Sequence, residues 1–509
     1  MANYLLGIDI GTESSRAIIF DEEGKALVKS QVTYGVICNY PGWAAQDPEQ
    51  WWQATVTNCR RVLSESGFKP SQIAAIGVCG QMHAPVPIRG KELIPGEVQL
   101  WCDKRCEEQC RQVVNQYDSD QLINKTGNLP VPSWTGLKIK WIKENQPDLY
   151  AKATKFLSAK DYINFKLTGN QYTDLSEASG TFLLDPTSLK WSHEIAELLD
   201  LEINKLPEIV NSWQIIGHVT AEAAQETGLA VGIPVVAGGG DMPCLLLGAG
   251  LTKLGRACDV AGTACDISVF GEEPCIDPRL MNLHHVIPGW FTFGILDSGG
   301  SSYRWLRDNF CEPQIEEAEQ RGMSAYEILN ELAEKVEAGA GGLIYLPYLM
   351  GERVLGSAFS RGVFFGLTLT HGRANLARAI IEGITFDLRQ SLEIICSKGK
   401  RIDEIRFIGG GARSPLWGKI KANIYGIPVV TVEEFEGGAL GVAILAGRGI
   451  GLFTDVVETA EKLIKIRWQF WPNVEEINRY NIYYKIFKKL HDLLQPLFDE
   501  LGAVNHKVI

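Results

Sequence analysis

The chain has no excess of positive charge. Its 49 lysines and arginines face 61 aspartates and glutamates, for a formal net charge of -12. That disfavours nucleic acid or an anionic membrane as the main partner, because both need a basic footprint. No stretch approaches the ~18 consecutive apolar residues of a membrane span. The opening "MANYLLGIDIGTES" has no basic region, and Asp9 interrupts its apolar run, so it does not read as a secretory signal. Twelve cysteines in 509 residues are no disulfide framework. Reduced thiols and a cytoplasmic location are expected. Cys102, Cys106 and Cys110 share a helical spacing, but no histidine or CxxC pair accompanies them, so a packed face is expected rather than a metal site. There is no GxxxxGK[ST], and the first glycine turn lacks GxGxxG. A Walker-type site and a dinucleotide fold are therefore disfavoured. No low-complexity tract or long linker occurs.

What is present is ordinary globular composition, 45% hydrophobic and 22% charged, in a chain long enough for two domains. "YLLGIDIG", "RAIIFDEEG" and "ALVKSQVTYGV" read as strands, "DPEQWWQATVTNCRRVLSESG" as an amphipathic helix and "IAAIGVCGQ" as a further strand. The same grammar returns after residue 250: "GRACDVAGTACDISVFGEEP" is strand, Gly-Thr turn and strand. "IRFIGGGARSPLWGKIKANIYG" runs from a strand through glycines into a helix. "GGGDMPCLLLGAG" and "EFEGGALGVAILAG" echo each other. The pattern predicts a diverged duplication, two α/β domains with a seam near residues 248–256. The segment from "IRWQFWPNVEEIN" to "LLQPLF" reads as an aromatic, amphipathic helix packed on its own domain.

Three glycine turns follow apolar strands, at 7–15, 260–266 and 407–414. Such turns offer backbone N–H groups to phosphate. Asp9 lies inside the first strand, where a carboxylate must be paired, hydrogen-bonded or bound to a cation. Beside a phosphate turn, Mg²⁺ held directly or through water is its natural partner. Asp241, between glycines and an apolar run, reads as a helix cap or as an acceptor for a hydroxyl proton. The two roles are compatible if each uses a different oxygen.

Over essentially its whole length the sequence resembles the FGGY carbohydrate kinases of the actin-like ATPase superfamily. "SWTGLKIKWIKEN" (133–145) and "GVFFGLTLTHGRANLARAIIE" (362–382) fit the two family signatures. "GWAAQDPEQWW", "GQMHAPV", "LPYLMGER" and "GGGARSPLW" are similar to their counterparts. The resemblance implies an α/β fold of two actin-like (ribonuclease H-like) domains with a catalytic cleft between them. Residues 1–248 would bind sugar and carry catalysis, and 249–509 would bind nucleotide. It implies ATP and Mg²⁺. "GQMH" is most similar to the xylulokinase pattern, so Met82, His83 and Asp103 would contact the sugar, with Asp241 as general base. Asp9 would position Mg²⁺. Gly11, Thr12, Gly262 and Thr263 would hold phosphates, and Gly410, Gly411 and Ser414 would border the adenosine. D-xylulose is the expected acceptor, with another ketopentose, a polyol or gluconate as alternatives. The oligomeric state stays open, a homodimer included.

Two departures from xylulokinases stand out. Met242 follows Asp241 where those enzymes usually have Asn, and Cys102 precedes Asp103 where they usually have Asn. Each removes an amide from the sugar site, and an apolar wall discriminates weakly among hydroxyl patterns. His83, in a loop after a strand end, is expected to bind a sugar hydroxyl rather than act as the base. Lys138 and Trp141 are expected to pack a helix, and adjacent His284 and His285 to point to opposite faces. An actin-like filament or chaperone would share the glycine turns without needing the sugar-loop pattern. A repressor would need a DNA-binding segment ahead of Gly7, for which the chain shows no room. A non-catalytic sugar sensor is the remaining competitor, opposed by retention of Asp9 and Asp241.

Overall fold

A computed structural model describes residues 4–353, 355–433 and 436–508, with side chains to 504. Two seven-stranded sheets dominate it. The first runs Ile215–His218, Pro234–Val236, Ile73–Gly80, Tyr4–Ile10, Ser14–Phe20 and Ala26–Thr33, with the short Gly239–Gly240 also paired to Ile73–Gly80. The second runs Met281–His284, Trp290–Leu296, Cys265–Gly271, Gly255–Ala261, Ile402–Gly409, Val429–Val432 and Ile466–Phe470.

Each sheet is built around an antiparallel hairpin whose first strand also pairs in parallel with a later one. Tyr4–Ile10 pairs with Ser14–Phe20 and Ile73–Gly80, and Gly255–Ala261 pairs with Cys265–Gly271 and Ile402–Gly409. The central Tyr4–Ile10 is buried on both faces from Leu5 onward, Asp9 included, as its otherwise apolar composition requires. The edge strand Ala26–Thr33 alternates half-buried and exposed residues. Helix Pro48–Ser66 starts at Asp47, whose carboxylate accepts from the N–H of Glu49, and ends at Gly67 in the left-handed region.

The two echoing glycine-rich segments form helices Asp241–Ala249 and Gly437–Gly449, which cross each other. Their backbones nearly touch. A β-carbon at Gly441 would stand 2.0 Å from the carbonyl oxygen of Cys244, and one at Gly248 would stand 2.5 Å from that of Gly437. The second helix also lies on the first sheet, close against Gly7 and Gly77. A segment from late in the chain thus completes the packing of the early sheet.

The C-terminal region differs from its reading as one helix. Ile466–Phe470 is an edge strand paired antiparallel with Val429–Val432. Helix Val474–Val508 begins only after Pro472, where Asn473 accepts from the N–H groups of Glu475 and Glu476. "IRWQF" alternates at the strand period, and the proline separates it from the helical pattern. Among the described residues no helix is long and apolar enough to cross a membrane.

Each sheet also buries a lysine. Lys160 Nζ lies 2.6 Å from Asp161 and 3.0 Å from Asp174, and Lys421 Nζ lies 2.6 Å from Asp259. All five side chains are buried, and Tyr425 adds a second hydrogen bond to Asp259.

Candidate active site

Asp241 is the first residue of its helix, with Gly240 as the cap. Its Oδ1 accepts from the N–H of Met242 at 2.8 Å, and Oδ2 has no hydrogen bond among the described residues. One oxygen therefore serves the helix end and the other is left for chemistry. Burial and the charge of Asp9 push its pKa up to about 7. A carboxylate poised there is matched to accepting a proton near neutrality.

The glycines before it do not leave space for a ligand. Gly238 has φ +69°, and a β-carbon there would lie 1.9 Å from the carbonyl oxygen of Val78. One at Gly240 would strike the sulfur of Met82 at 2.6 Å. The glycines let this strand press against its own protein, which fixes where Asp241 emerges.

Asp9 is buried, and the hairpin register places it opposite Arg16, whose guanidinium it meets at 2.9 Å. Burial raises its pKa, against the pull of Arg16. Because the charge of Asp9 raises the proton affinity of Asp241, a cation between them would relieve that repulsion. Among the described residues no group of three or more His, Cys, Asp or Glu side chains could hold a metal. Mg²⁺ bound through phosphates and water needs only one or two carboxylates, so the pair fits it. A third carboxyl, Glu177, is buried close by and is held well above the usual range by burial and by Asp161, Asp174 and Asp241.

In both hairpin turns the glycine N–H is already used. That of Gly11 donates to the carbonyl of Ser14, and that of Gly262 to the carbonyl of Ala264. The N–H groups of Thr12 and Thr263 have no such bond among the described residues. Trp101 donates its indole N–H to the Thr12 hydroxyl at 3.0 Å, and Arg304 reaches the Thr263 hydroxyl at 3.3 Å.

Gly262, Thr263, Gly410, Gly411 and Ser414 line one cavity of about 500 Å³. Sequence reasoning missed its other walls, Tyr303, Arg304, Tyr326 and Trp417. It also missed Asn330, whose amide oxygen accepts from Tyr303 and Trp417. A groove of about 660 Å³ shares Gly410 and Arg413 with it, and of the expected site residues it holds Gly410 alone.

Met82 and His83 sit beside Gly240 and Gly180. His83 adopts φ 72°, an uncommon conformation for a residue with a β-carbon. Its Nδ1 lies 2.8 Å from the carbonyl oxygen of Gly180, which can only accept. Nδ1 therefore carries the proton and Nε2 is an acceptor. Burial and the neighbouring Lys138 bring its pKa down to about 3, so it remains neutral and is no general base at neutral pH.

Lys138 does more than pack a helix. Fully buried, it donates to the backbone carbonyls of His83 and Leu100, tying the Met82–His83 loop to the loop that carries Trp101. Asp103, expected to touch the sugar, is fully buried. Its carboxylate accepts from the N–H of Ala44 at 2.7 Å and is gripped on both oxygens by Arg105, which itself lies over Trp43. That arrangement makes Asp103 a brace for the loop, with no edge open to a ligand. The Asp-x-Arg spacing was the signal for it.

The model of the FGGY family of carbohydrate kinases, N-terminal domain, matches residues 4–248, and that of the C-terminal domain matches 259–450. The xylulose kinase of Bacillus subtilis is 32% identical over 493 residues, 96% of each chain. Two solved structures from Lactobacillus acidophilus superpose with TM-score 0.90 at 26% identity, covering 98% of this chain and 100% of theirs. One is a ligand-bound xylulose kinase and the other a gluconate kinase. The fold is that of the actin-like ATPases, and the chain belongs to the FGGY family of carbohydrate kinases.

Proposed function

We propose that the chain transfers the γ-phosphate of ATP to a hydroxyl of D-xylulose. Residues 1–248 supply the acceptor site and base, and 249–509 the nucleotide site. The observation that carries the reading is Asp241, a helix-start carboxylate with one oxygen unbonded and a pKa near 7. Phosphoryl transfer to a hydroxyl asks for such an acceptor, together with donors on the transferring group.

In this reading the adenosine occupies the cavity bordered by Gly410, Gly411 and Ser414. Thr12 and Thr263, on the two hairpin turns, hold phosphate oxygens through their N–H groups. Asp9 holds Mg²⁺, which when bound offsets phosphate charge. His83 accepts from a sugar hydroxyl through Nε2, and Met82 shapes the wall beside it. Asp241 takes the proton of the attacking hydroxyl on Oδ2. Drawing the two halves together excludes water, which limits wasteful hydrolysis.

The xylulose kinases among the relatives support the choice of sugar. The test is an ATP-dependent phosphorylation panel over ketoses, aldoses, polyols and gluconate, with Asp241→Asn beside the natural chain. D-xylulose should give the highest kcat/KM, and the variant should lose about 10²–10⁴ in rate. Near-full turnover by the variant would remove Asp241 from the role of base. A preference for gluconate would move the acceptor and leave the chemistry in place.

A further inference from the structure

We infer that Arg353, from the second half of the chain, binds the acceptor sugar and couples its arrival to closure of the cleft. This rests on the kinase reading above.

The guanidinium of Arg353 stands where the two halves meet. On its own side it pairs with Asp297 through Nη2. Asp297 lies two residues before helix Gly299–Phe310, whose Gly300 N–H donates to Gly262 of the second phosphate turn. Across the cleft, the guanidinium lies 5.7 Å from the ring centre of Trp101, the residue that holds the Thr12 hydroxyl. It is also near enough for its charge to act on His83. One side chain thus touches the acceptor loops on one side and the support of a phosphate turn on the other.

Its donors are mostly unused. A guanidinium has five N–H groups in a fixed plane and is always charged. Beyond the bond to Asp297, no hydrogen bond from it occurs among the described residues. The side chain is 24% exposed, enough to meet a ligand.

The backbone that presents it is anchored. The neighbouring Glu352 side chain is only 4% exposed and accepts from Gln495 at 2.9 Å and Ser360 at 2.5 Å, with His491 at 2.8 Å. Helix Val474–Val508 therefore holds this loop in place.

In the kinase reading, the side chains expected at the acceptor site leave it short of donors. Met82, Met242 and Cys102 form weak hydrogen bonds at best, and His83 offers an acceptor. A polyhydroxylated sugar between them would find its donors in Arg353. Because those donors belong to the other half, binding the sugar would draw the halves together.

Arg353→Gln and Arg353→Lys, assayed with the best sugar of the panel, test the assignment. In Arg353→Gln the acceptor kcat/KM should fall about ten- to hundredfold, the scale of a hydrogen bond to a charged group, through a raised acceptor KM. The ATP dissociation constant, measured by equilibrium binding, should hold within about twofold. Arg353→Lys should recover part of the loss. An unchanged acceptor KM in a folded Arg353→Gln overturns the assignment and leaves the kinase reading standing. So does an equal rise in both constants with a lowered Tm, which marks loosened structure. If the natural chain phosphorylates no sugar, the kinase reading fails first and this inference with it.

Discussion

Lys138 donates to the carbonyl of His83 at 2.8 Å from a fully buried position, and the same ammonium reaches the carbonyl of Leu100. Two loops that flank the proposed acceptor site are thereby fixed by one side chain. Replacing it with methionine keeps the volume and strands both carbonyls. Each stranded acceptor costs about 1–3 kcal/mol. Lys138→Met should therefore lower the midpoint in urea and raise the acceptor KM more than the ATP KM. Equal stability and unchanged acceptor KM would mean that the loops hold themselves.

The crossing of the two seam helices leaves no room for a side chain. At Gly441 even one methyl group would press into the backbone of Cys244. Backbone cannot swing aside as a side chain can, so the helices must separate. Overpacking of this kind costs about 1–3 kcal/mol. Gly441→Ala should lower Tm. The exposed Gly399, with open space around it but φ +85°, gives Gly399→Ala as a comparison limited to backbone strain. A smaller loss at 441 than at 399 would show that the crossing is looser than its geometry.

His284 and His285 are both buried and meet different aromatic rings, Trp290 for the first and Phe270 and Phe291 for the second. Burial, aided by His284, brings the pKa of His285 down to about 3 from 6.5. The unfolded chain then binds more protons than the folded one below pH 6.5. Stability contributed by the neutral ring is present above that pH and is lost as pH falls. Between pH 6.5 and 5 the loss is on the order of 1–2 kcal/mol. Urea midpoints from pH 7 to 5 should fall less steeply for His285→Gln than for the natural chain. Parallel slopes would refute the assignment.

Much of this could be read from residue order. The hairpins, the glycine turns and the echo of "GGGDMPCLLLGAG" in "EFEGGALGVAILAG" each correspond to an observed element, because local period and turn chemistry decide them. The place of Asp241 at a helix start was legible for the same reason. Lys138 was not: its spacing marks only a helix face, while its acceptors lie 55 and 38 residues away. Trp101 reaches Thr12 across 89 residues, and Arg353 reaches Asp297 across 56. Acceptors of that kind are backbone or distant side chains, which no spacing rule can show. Asp103 differs in the other direction: its family position suggested a ligand contact, while Arg105, two residues on, engages both of its carboxylate oxygens.

The helix Gly437–Gly449 has a consequence for any attempt to treat the halves as interchangeable parts. It is encoded late, yet it beds on Tyr4–Ile10 and Ile73–Gly80. A chimera that joins residues 1–248 of this protein to the remainder of a relative would import a foreign helix into the native sheet. The partner residues to match are then Gly7 and Gly77, far from the junction, as well as Cys244 and Gly248 beside it. Recombination between relatives should be planned around that helix, with the crossover placed so that it travels with the first sheet.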